Sequence, residues 1–514
     1  MTRGAADYLL PDRVTPRALR TALAGHFELE SEPGRMVDRA YFDTFEGLLR
    51  RSELSLLWED DRLQLLNGDG REVAGLGLPC APEAIRAAEL PPGALRDRLA
   101  PVIHERAATA LVRMRARRRP MRVLDSERKT VVRLNIEAPS IVLGERARTR
   151  LAPRLTVVGV RGYDKALGRV RGVVEGELGL VNASAPLADE AVAKVGGIPS
   201  GVSSNLDVVA GPRQRADDAA VAILTQLTAA IEANMPGTLA DVDSEFLHDL
   251  RVSVRRIRSL LRELDGVFPP VDRAHFRAEF RWLQEVTGPT RDLDVYLLDF
   301  DAFAQSLPPA NRADLDPLHT LLSEHRWRQR RRMVRALRSQ RTRTLLLEFK
   351  QLLAGLPELP EADRPDAAVA IVELAGRRIA TVYRAMVKMG TAIDDQSPPV
   401  ALHDLRKKGK ELRYLLEFFG ALFPPATVAP MLRTLKSLQD TLGRFQDREI
   451  QAGMLCSLAD ETATLREGAA ALMAMGVLVQ RLTAQQAQAR REFAQRFAPF
   501  ADRRRQGSIK ETFA

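Results

Sequence analysis

Two segments set 155 positions apart in a chain of 514 residues read almost alike, and this limits the fold more than any other feature of the sequence. His248-Asp249-Leu250-Arg251 opens one and His403-Asp404-Leu405-Arg406 opens the other. Phe268-Pro269-Pro270 recurs as Phe423-Pro424-Pro425, Leu283-Gln284 as Leu438-Gln439, Gly288 as Gly443 and Asp292 as Asp447. The offset holds without a gap over about 45 residues, with about a third of the positions identical. Chance similarity between amphipathic helices would match apolar positions alone. Here His, Asp, Arg, Gln, Gly and Pro match as well. The C-terminal half is therefore read as a duplicated helical bundle whose halves pack about a pseudo-two-fold axis.

Each copy has two faces. Leu250, Val254, Ile257, Leu261 and Leu264 form an apolar stripe at helical spacing. His248, Arg251, Arg255, Arg258 and Arg262 form a cationic row on another side. In the second copy Leu405, Leu412, Leu416 and Phe419 repeat most of the stripe. His403, Arg406, Lys410 and Arg413 repeat the row, with Lys407 beside it. The pseudo-two-fold would bring the two rows toward one another. Between Arg326 and Arg343 stand nine arginines and no acid, and Arg328, Arg331, Arg335 and Arg338 share one helix face. Arg377, Arg378, Arg384 and Lys388 form a milder patch. One basic stripe alone is ordinarily a solvated helix face. Two related stripes, each starting at a histidine, point to function.

The length allows two to four domains. Residues 1–200 alternate apolar and polar positions around Arg39–Thr44, Leu54–Trp58, Leu63–Leu66, Leu111–Arg117, Thr130–Ile136 and Leu155–Val160, which predicts strands. Asp164–Leu178 and Leu187–Val195 read as helices. Residues 201–214 are rich in Gly, Ser and Pro and read as a linker. Residues 215–505 carry helical periodicity punctuated by proline pairs, about ten helices in all, with copies at about 215–345 and 366–500. Residues 506–514 read as a tail. The expected fold is multidomain. An N-terminal α+β domain with an antiparallel, tunnel- or barrel-like sheet precedes an all-α duplicated bundle.

A hydrophobic content of 45% with 28% charged residues is that of a soluble globular protein. The net charge of +10 favours an anionic partner, and arginine, which outnumbers lysine, suits phosphate. Coding bias would raise arginine equally, so only clustered arginines count. Two cysteines, Cys80 and Cys456, cannot build a disulfide framework or a thiolate metal site. No signal peptide or membrane span is read. The expected compartment is the cytoplasm.

The His248-Asp-Leu-Arg-Val-x-Val-Arg-Arg-Ile-Arg258 and His403-Asp-Leu-Arg-x-x-x-Lys-x-Leu-Arg-Tyr414 runs, followed by Gln284…Gly288…Arg291-Asp292 and Gln439…Gly443…Asp447, resemble the CHAD family over roughly 215–505. The resemblance implies two related helical bundles with a basic central surface that binds inorganic polyphosphate, often behind a CYTH domain. Residues 5–200 in turn resemble the CYTH fold of the triphosphate tunnel enzymes. Tyr41-Phe42-Asp43-Thr44, Leu48-Leu49-Arg50-Arg51, Leu54-Ser55-Leu56 and Arg113-Met-Arg-Ala-Arg-Arg-Arg119 carry that likeness. CYTH enzymes bear an N-terminal Glu-x-Glu-x-Lys strand that holds divalent metal and phosphate. This chain has Ala5-Ala6-Asp7-Tyr8-Leu9 there, so the domain is read as degenerate, with no metal site and no catalytic residue. Glu28, Glu30 and Glu32 read as a solvated strand face, and Glu175 and Glu177 as surface residues. Arg113, Arg115 and Arg117 share a strand face and either line a tunnel for an anion or keep a strand edge soluble.

Inorganic polyphosphate is a flexible polyanion without bases, so closely spaced cations suffice to hold it. A helix turn advances 5.4 Å, and the His248–Arg262 row makes a ladder that one chain can track. His248 and His403 are read as phosphate donors near helix N-termini, where N–H groups also favour anions. Neither has a second ligand at i+4, so neither is read as a metal ligand. Asp249, Asp292, Asp404 and Asp447 are read as helix caps or partners of arginines. The reading is a non-catalytic polyphosphate binder that needs no cofactor, with polyphosphate granules as a place consistent with it. A metal-dependent triphosphate or polyphosphate hydrolase of the tunnel class is the alternative. Nucleic-acid binding is the second alternative, disfavoured because aromatics make up only 5% of the chain.

Overall fold

The computed structural model describes residues 6–11, 14–144, 147–198, 201 and 210–513. The chain divides into two compact units, Met1–Ser203 and Ser204–Ala514. Most of the expected linker, residues 202–209, lies outside the described residues.

The N-terminal unit holds one sheet of twelve strands among the described residues, antiparallel at every pairing. In chain order the strands are β1 (Ala6–Leu9), β2 (Glu28–Ser31), β3 (Arg35–Asp43), β4 (Leu54–Glu59), β5 (Arg62–Asn67) and β6 (Glu72–Gly77). They continue as β7 (Ala84–Ile85), β8 (Ala108–Leu124), β9 (Thr130–Leu143), β10 (Ala147–Arg150), β11 (Arg154–Gly159) and β12 (Val181–Asn182). The main path runs β12-β1-β11-β9-β8-β3-β4-β5-β6. Among the described residues five α-helices accompany the sheet: α1 (Pro16–Ala24), α2 (Leu48–Arg51), α3 (Ala94–Ile103), α4 (Asp164–Gly172) and α5 (Leu187–Lys194). Residues 173–177, expected to continue α4, form a π-helical turn.

Alternation along β8 and β9 decides what covers each face. Met121, Val123, Val132, Leu134 and Ile136 pack under α1 and α4, while Ala40, Phe42, Leu56 and Trp58 pack under α2 and α3. On the opposite face Val112, Met114 and Ile141 pack against Leu187, Ala191 and Val192 of α5. That second face also carries buried charge. Arg39 and Arg118 lie between Glu59 and Glu137, with Arg39 Nε to Glu59 at 2.7 Å, Arg118 Nη1 to Glu59 at 2.6 Å and Arg39 Nη2 to Glu137 at 3.2 Å. Arg154, fully buried beside them, donates to Glu190 of α5 at 2.6 Å.

Arg113, Arg115 and Arg117 do share a face, but it is the other one, on the side of Ala40 and Trp58. Arg115 is held by Asp38 at 2.5 and 2.6 Å, Arg113 donates to the Pro82 carbonyl at 2.8 Å, and Arg117 is exposed. Arg113 and Arg115 border a hollow of about 500 Å³ and do not line an enclosed tunnel. Glu28, Glu30 and Glu32 are exposed, as expected of a solvated strand. Glu175 accepts from the Tyr8 hydroxyl at 2.6 Å.

Among the described residues the helical unit has twelve α-helices, two more than the periodicity suggested. They are α6 (Ala216–Ala240), α7 (Ser244–Glu263), α8 (Pro270–Leu298), α9 (Phe300–Ser306), α10 (Asp316–Leu337) and α11 (Gln340–Gly355). The second series is α12 (Ile371–Thr391), α13 (Pro399–Phe419), α14 (Pro425–Ser457), α15 (Ala459–Ala463), α16 (Gly468–Phe497) and α17 (Arg503–Thr512). The starts of α6, α7 and α8 stand 155 residues before those of α12, α13 and α14. The proline pairs explain two of these starts. Pro270 and Pro425 each occupy the first turn, where a missing N–H costs nothing. Phe268 and Phe423 anchor the preceding residues in the shared core.

The pseudo-two-fold can be read from hydrogen bonds. Arg215 and Ala370, themselves 155 apart, form an antiparallel bridge with each other. Ala216 N donates to Val369 O at 2.9 Å, and its repeat mate Ile371 N donates to Gln214 O at 2.8 Å. The axis passes between the two strands of that bridge. One core takes Leu250, Val254, Ile257 and Leu261 from the first copy and Leu405, Leu412, Leu416 and Phe419 from the second. The expected tail at 506–514 is not loose. Ile509 and Phe513 are 2% and 1% exposed and belong to that core.

Candidate functional site

The helices α7 and α13 meet beside the axis. Asp243 starts α7 by accepting from the N–H groups of Glu245 and Phe246. Each helix then turns its stripe inward and its cations toward the other copy. Two ion pairs lock the crossing: Arg256 to Glu417 at 2.8 Å and Arg262 to Glu411 at 3.0 Å. At the 155 offset Arg256 corresponds to Glu411 and Arg262 to Glu417. The two pairs therefore exchange under the axis, each with its charges reversed.

Beside this crossing lies a cleft of about 650 Å³. Helix α7 contributes Arg255, Arg258 and Arg262, and α13 contributes Lys407 and Lys410. The third wall is α8, with Arg277 and Arg281. Glu411 is the one carboxylate in the lining, and from outside it Glu263 pairs with Arg262 at 2.8 Å, Glu285 with Arg281 at 2.9 Å and Asp404 with Lys407 at 3.2 Å. Arg255, Arg258, Arg277 and Lys410 show no ion pair among the described residues, and Arg255 Nε is buried without a hydrogen-bond partner. Like charges at this density perturb one another. Burial, with Arg406 and Arg255 nearby, holds the Lys410 pKa down to about 8. Burial and the neighbouring Arg281, Arg262 and Arg277 lower that of Arg258. A cluster whose members disfavour one another's charge is poised to accept an anion.

Five of the expected residues meet here: Arg255, Arg258, Arg262, Lys407 and Lys410. The others do not line the cleft. Arg251 Nη1 donates to the Gln284 carbonyl at 2.7 Å and Thr287 Oγ1 at 2.8 Å, tying α7 to α8. Burial lowers its pKa to about 10. Arg406 pairs with Asp447 at 3.2 Å, and Arg413 pairs with Glu417 at 2.7 Å. Arg328, Arg331 and Arg335 of α10 and Arg338 at its C-cap are exposed, and none of them lines the cleft. Arg328 pairs with Glu324 at 3.1 Å, and Arg331 lies 4.7 Å over the Trp327 ring.

The histidines were expected near helix N-termini. Both sit a turn inside, because the helices begin at Ser244 and Pro399, and the first N–H groups of α7 are already served by Asp243. Burial and Arg291 lower the pKa of His248, so it adds no charge at neutral pH. His403 Nδ1 is hydrogen-bonded to Gln446 Oε1. Asp404 and Asp447 serve cations, Lys407 at 3.2 Å and Arg406, and neither caps a helix. Sequence reasoning missed Arg277 and Arg281. Their i, i+4 spacing was visible, but Glu279 and Glu285 dilute the run.

Among the described residues no group of three or more His, Cys, Asp or Glu side chains is placed to hold a metal ion. In the N-terminal unit Glu59 and Glu137 are each engaged by two arginines, so they do not fit the metal-ligand role that a tunnel enzyme requires. No helix is long and apolar enough to cross a membrane among the described residues.

A helical domain of two repeated halves, with a cationic cleft where the halves meet, is the class that fold and site define. Residues 222–456 match the family model described as the CHAD domain, and this stretch of the chain is a CHAD domain. Two uncharacterized proteins of Mycobacterium tuberculosis, from strains H37Rv and CDC 1551, are 29% identical over 228 residues. The match covers 43% of this chain and 42% of each relative, so the chain spans less than half the length of the curated relatives it matches. Among solved structures, the CHAD domain from the plant Ricinus communis is 26% identical with a TM-score of 0.49, covering 57% of this chain and 94% of that one. PptA from Streptomyces chartreusis is 19% identical with a TM-score of 0.43, covering 55% of this chain and all of that one.

Proposed function

We propose that the chain binds inorganic polyphosphate in the cleft between α7, α8 and α13 without turning it over. One observation carries the reading: seven cations line a single cleft, and four of them, Arg255, Arg258, Arg277 and Lys410, have no ion pair among the described residues. Such an arrangement costs electrostatic energy unless an anion enters. CHAD domains are linked to polyphosphate binding, which agrees with it. Tyr414 is the only aromatic side chain in the cleft lining, so base stacking has little to work with there. Expected partners are the polymer alone, with no cofactor. The buried arginine pairing of Glu59 and Glu137 supports a non-catalytic N-terminal unit.

The test is a titration of the full chain with polyphosphate, with single-stranded DNA as competitor and phosphate release with Mg²⁺ or Mn²⁺ as the hydrolysis control. Polyphosphate is expected to bind and DNA to compete poorly. If the cleft neutralises about four phosphates, log K against log salt should fall with a slope of about −3. A slope near zero would show that the cations do not hold the ligand. Metal-dependent release of phosphate would restore the hydrolase reading.

A further inference from the structure

The cleft is not centred on the axis that relates the two copies. Two pairs of repeat mates line it from both sides: Arg255 with Lys410, and Ser259 with Tyr414. Beyond them it reaches onto the first copy, to Arg258, Arg262, Arg277 and Arg281. Their mates in the second copy are Arg413, Glu417, Leu432 and Lys436. Glu417 holds both Arg413, at 2.7 Å, and Arg256, at 2.8 Å. Leu432 packs against the core. Four cations on one side of the axis thus correspond to two cations, a carboxylate and a leucine on the other. Ser259, 6% exposed, lines the cleft with its hydroxyl buried and without a hydrogen-bond partner. An unsatisfied donor at that wall suits an acceptor oxygen brought by a ligand.

We infer that the duplicated domain holds a single polyanion segment, laid across Arg255 and Lys410 and along the first copy's α7–α8 side, and that the equivalent side of the second copy has lost the site. This rests on the polyphosphate reading. Arg262 is already paired with Glu411 and Glu263, Arg281 with Glu285 and Lys407 with Asp404, which leaves Arg255, Arg258, Arg277 and Lys410 as the four unpaired positive charges of the cleft among the described residues. A run of about four singly charged phosphates would neutralise them. Affinity should therefore climb with chain length up to about that size and then level off per segment. The hydroxyl of Ser259 would donate to one of the phosphate oxygens.

The experiment is calorimetric titration of the full chain with linear polyphosphate of defined length, comparing two double variants of exposed residues. Arg277→Glu with Arg281→Glu alters α8. Arg433→Glu with Lys436→Glu makes the same charge change on α14. The first pair is expected to weaken binding about 30-fold, the second by no more than about 3-fold, and short chains should bind one per protein. Thermal unfolding of both variants controls for folding. Equal losses, or two short chains per protein, would overturn the one-sided site and leave polyphosphate binding standing. A parent protein that binds no polyphosphate would overturn both.

Discussion

Charge reversal at Arg255, Arg258 and Lys410 together is expected to lower polyphosphate affinity on the order of 10³-fold at moderate salt, with the helical unit still folded. These three line the cleft without an ion pair among the described residues, so nothing in the fold depends on their charge. They also press on one another. Burial together with surrounding cations lowers the pKa of Arg258 and of Lys410, so acids placed here would relieve repulsion within the unbound protein. Arg251 is a different case. Its guanidinium ties the Gln284 carbonyl and Thr287, and Arg251→Glu would loosen the α7–α8 contact. Lost binding in that variant would say little about the ligand. The measurement is a polyphosphate titration of the triple variant beside its thermal unfolding curve. A folded triple variant that binds within about tenfold of the parent would remove the cleft from the account.

The repeat made the helical half legible because it fixed both composition and register. The 155-residue offset located α7 and α13 and implied an axis, and the Arg215–Ala370 bridge lies on that axis. The direction in which each cation points was not legible. His248, Arg251, Arg255, Arg258 and Arg262 are one row by spacing, yet Arg251 turns into the neighbouring helix while Arg255 and Arg258 reach the cleft. Spacing along a helix says which residues share a face. It does not say which neighbour that face meets, and the α10 arginines show the consequence. Their run is the most basic in the chain, but none of them lines the cleft. Arg277 and Arg281 of α8, in a run mixed with acids, are the ones that close the site.

In the N-terminal unit, alternation revealed most of the strands, because one face of each is buried under helices. It placed Arg113, Arg115 and Arg117 correctly on one face and could not tell which face that was. The deciding contacts join residues far apart in sequence. Arg39 meets Glu59 across a strand pair and Glu137 from a strand almost a hundred positions later. Local pattern carries no trace of such a pairing. Nor does it reveal that α5 supplies Glu190 to the buried Arg154. A missing Glu-x-Glu-x-Lys strand was readable as an absence. What occupies the sheet face instead was not.

Replacing Lys410 by methionine is expected to stabilise the unbound protein and to weaken ligand binding. Burial, with Arg406 and Arg255 close by, brings the Lys410 pKa down from 10.5 to about 8. Between those two values the unfolded chain binds a proton that the folded chain does not, so stability rises with pH through that window. Below pH 8 the charged ammonium is held in the fold at a cost, which after allowance for partial solvation is roughly 2 kcal/mol. Lys410→Met should return that amount at pH 7 and flatten the rise between pH 8 and 10.5. Binding has the opposite sign. A polyanion favours the protonated amine, so the complex takes up protons, and affinity should fall as the pH climbs through about 8. The methionine variant should bind about 30-fold more weakly at pH 7 and lose this component of the pH dependence. Denaturant unfolding across pH, paired with titrations at pH 7 and 9, reads both effects. A variant no more stable than its parent would mean that Lys410 is better solvated than its surroundings indicate. One that binds as tightly as its parent would mean that the polymer bypasses the centre of the cleft.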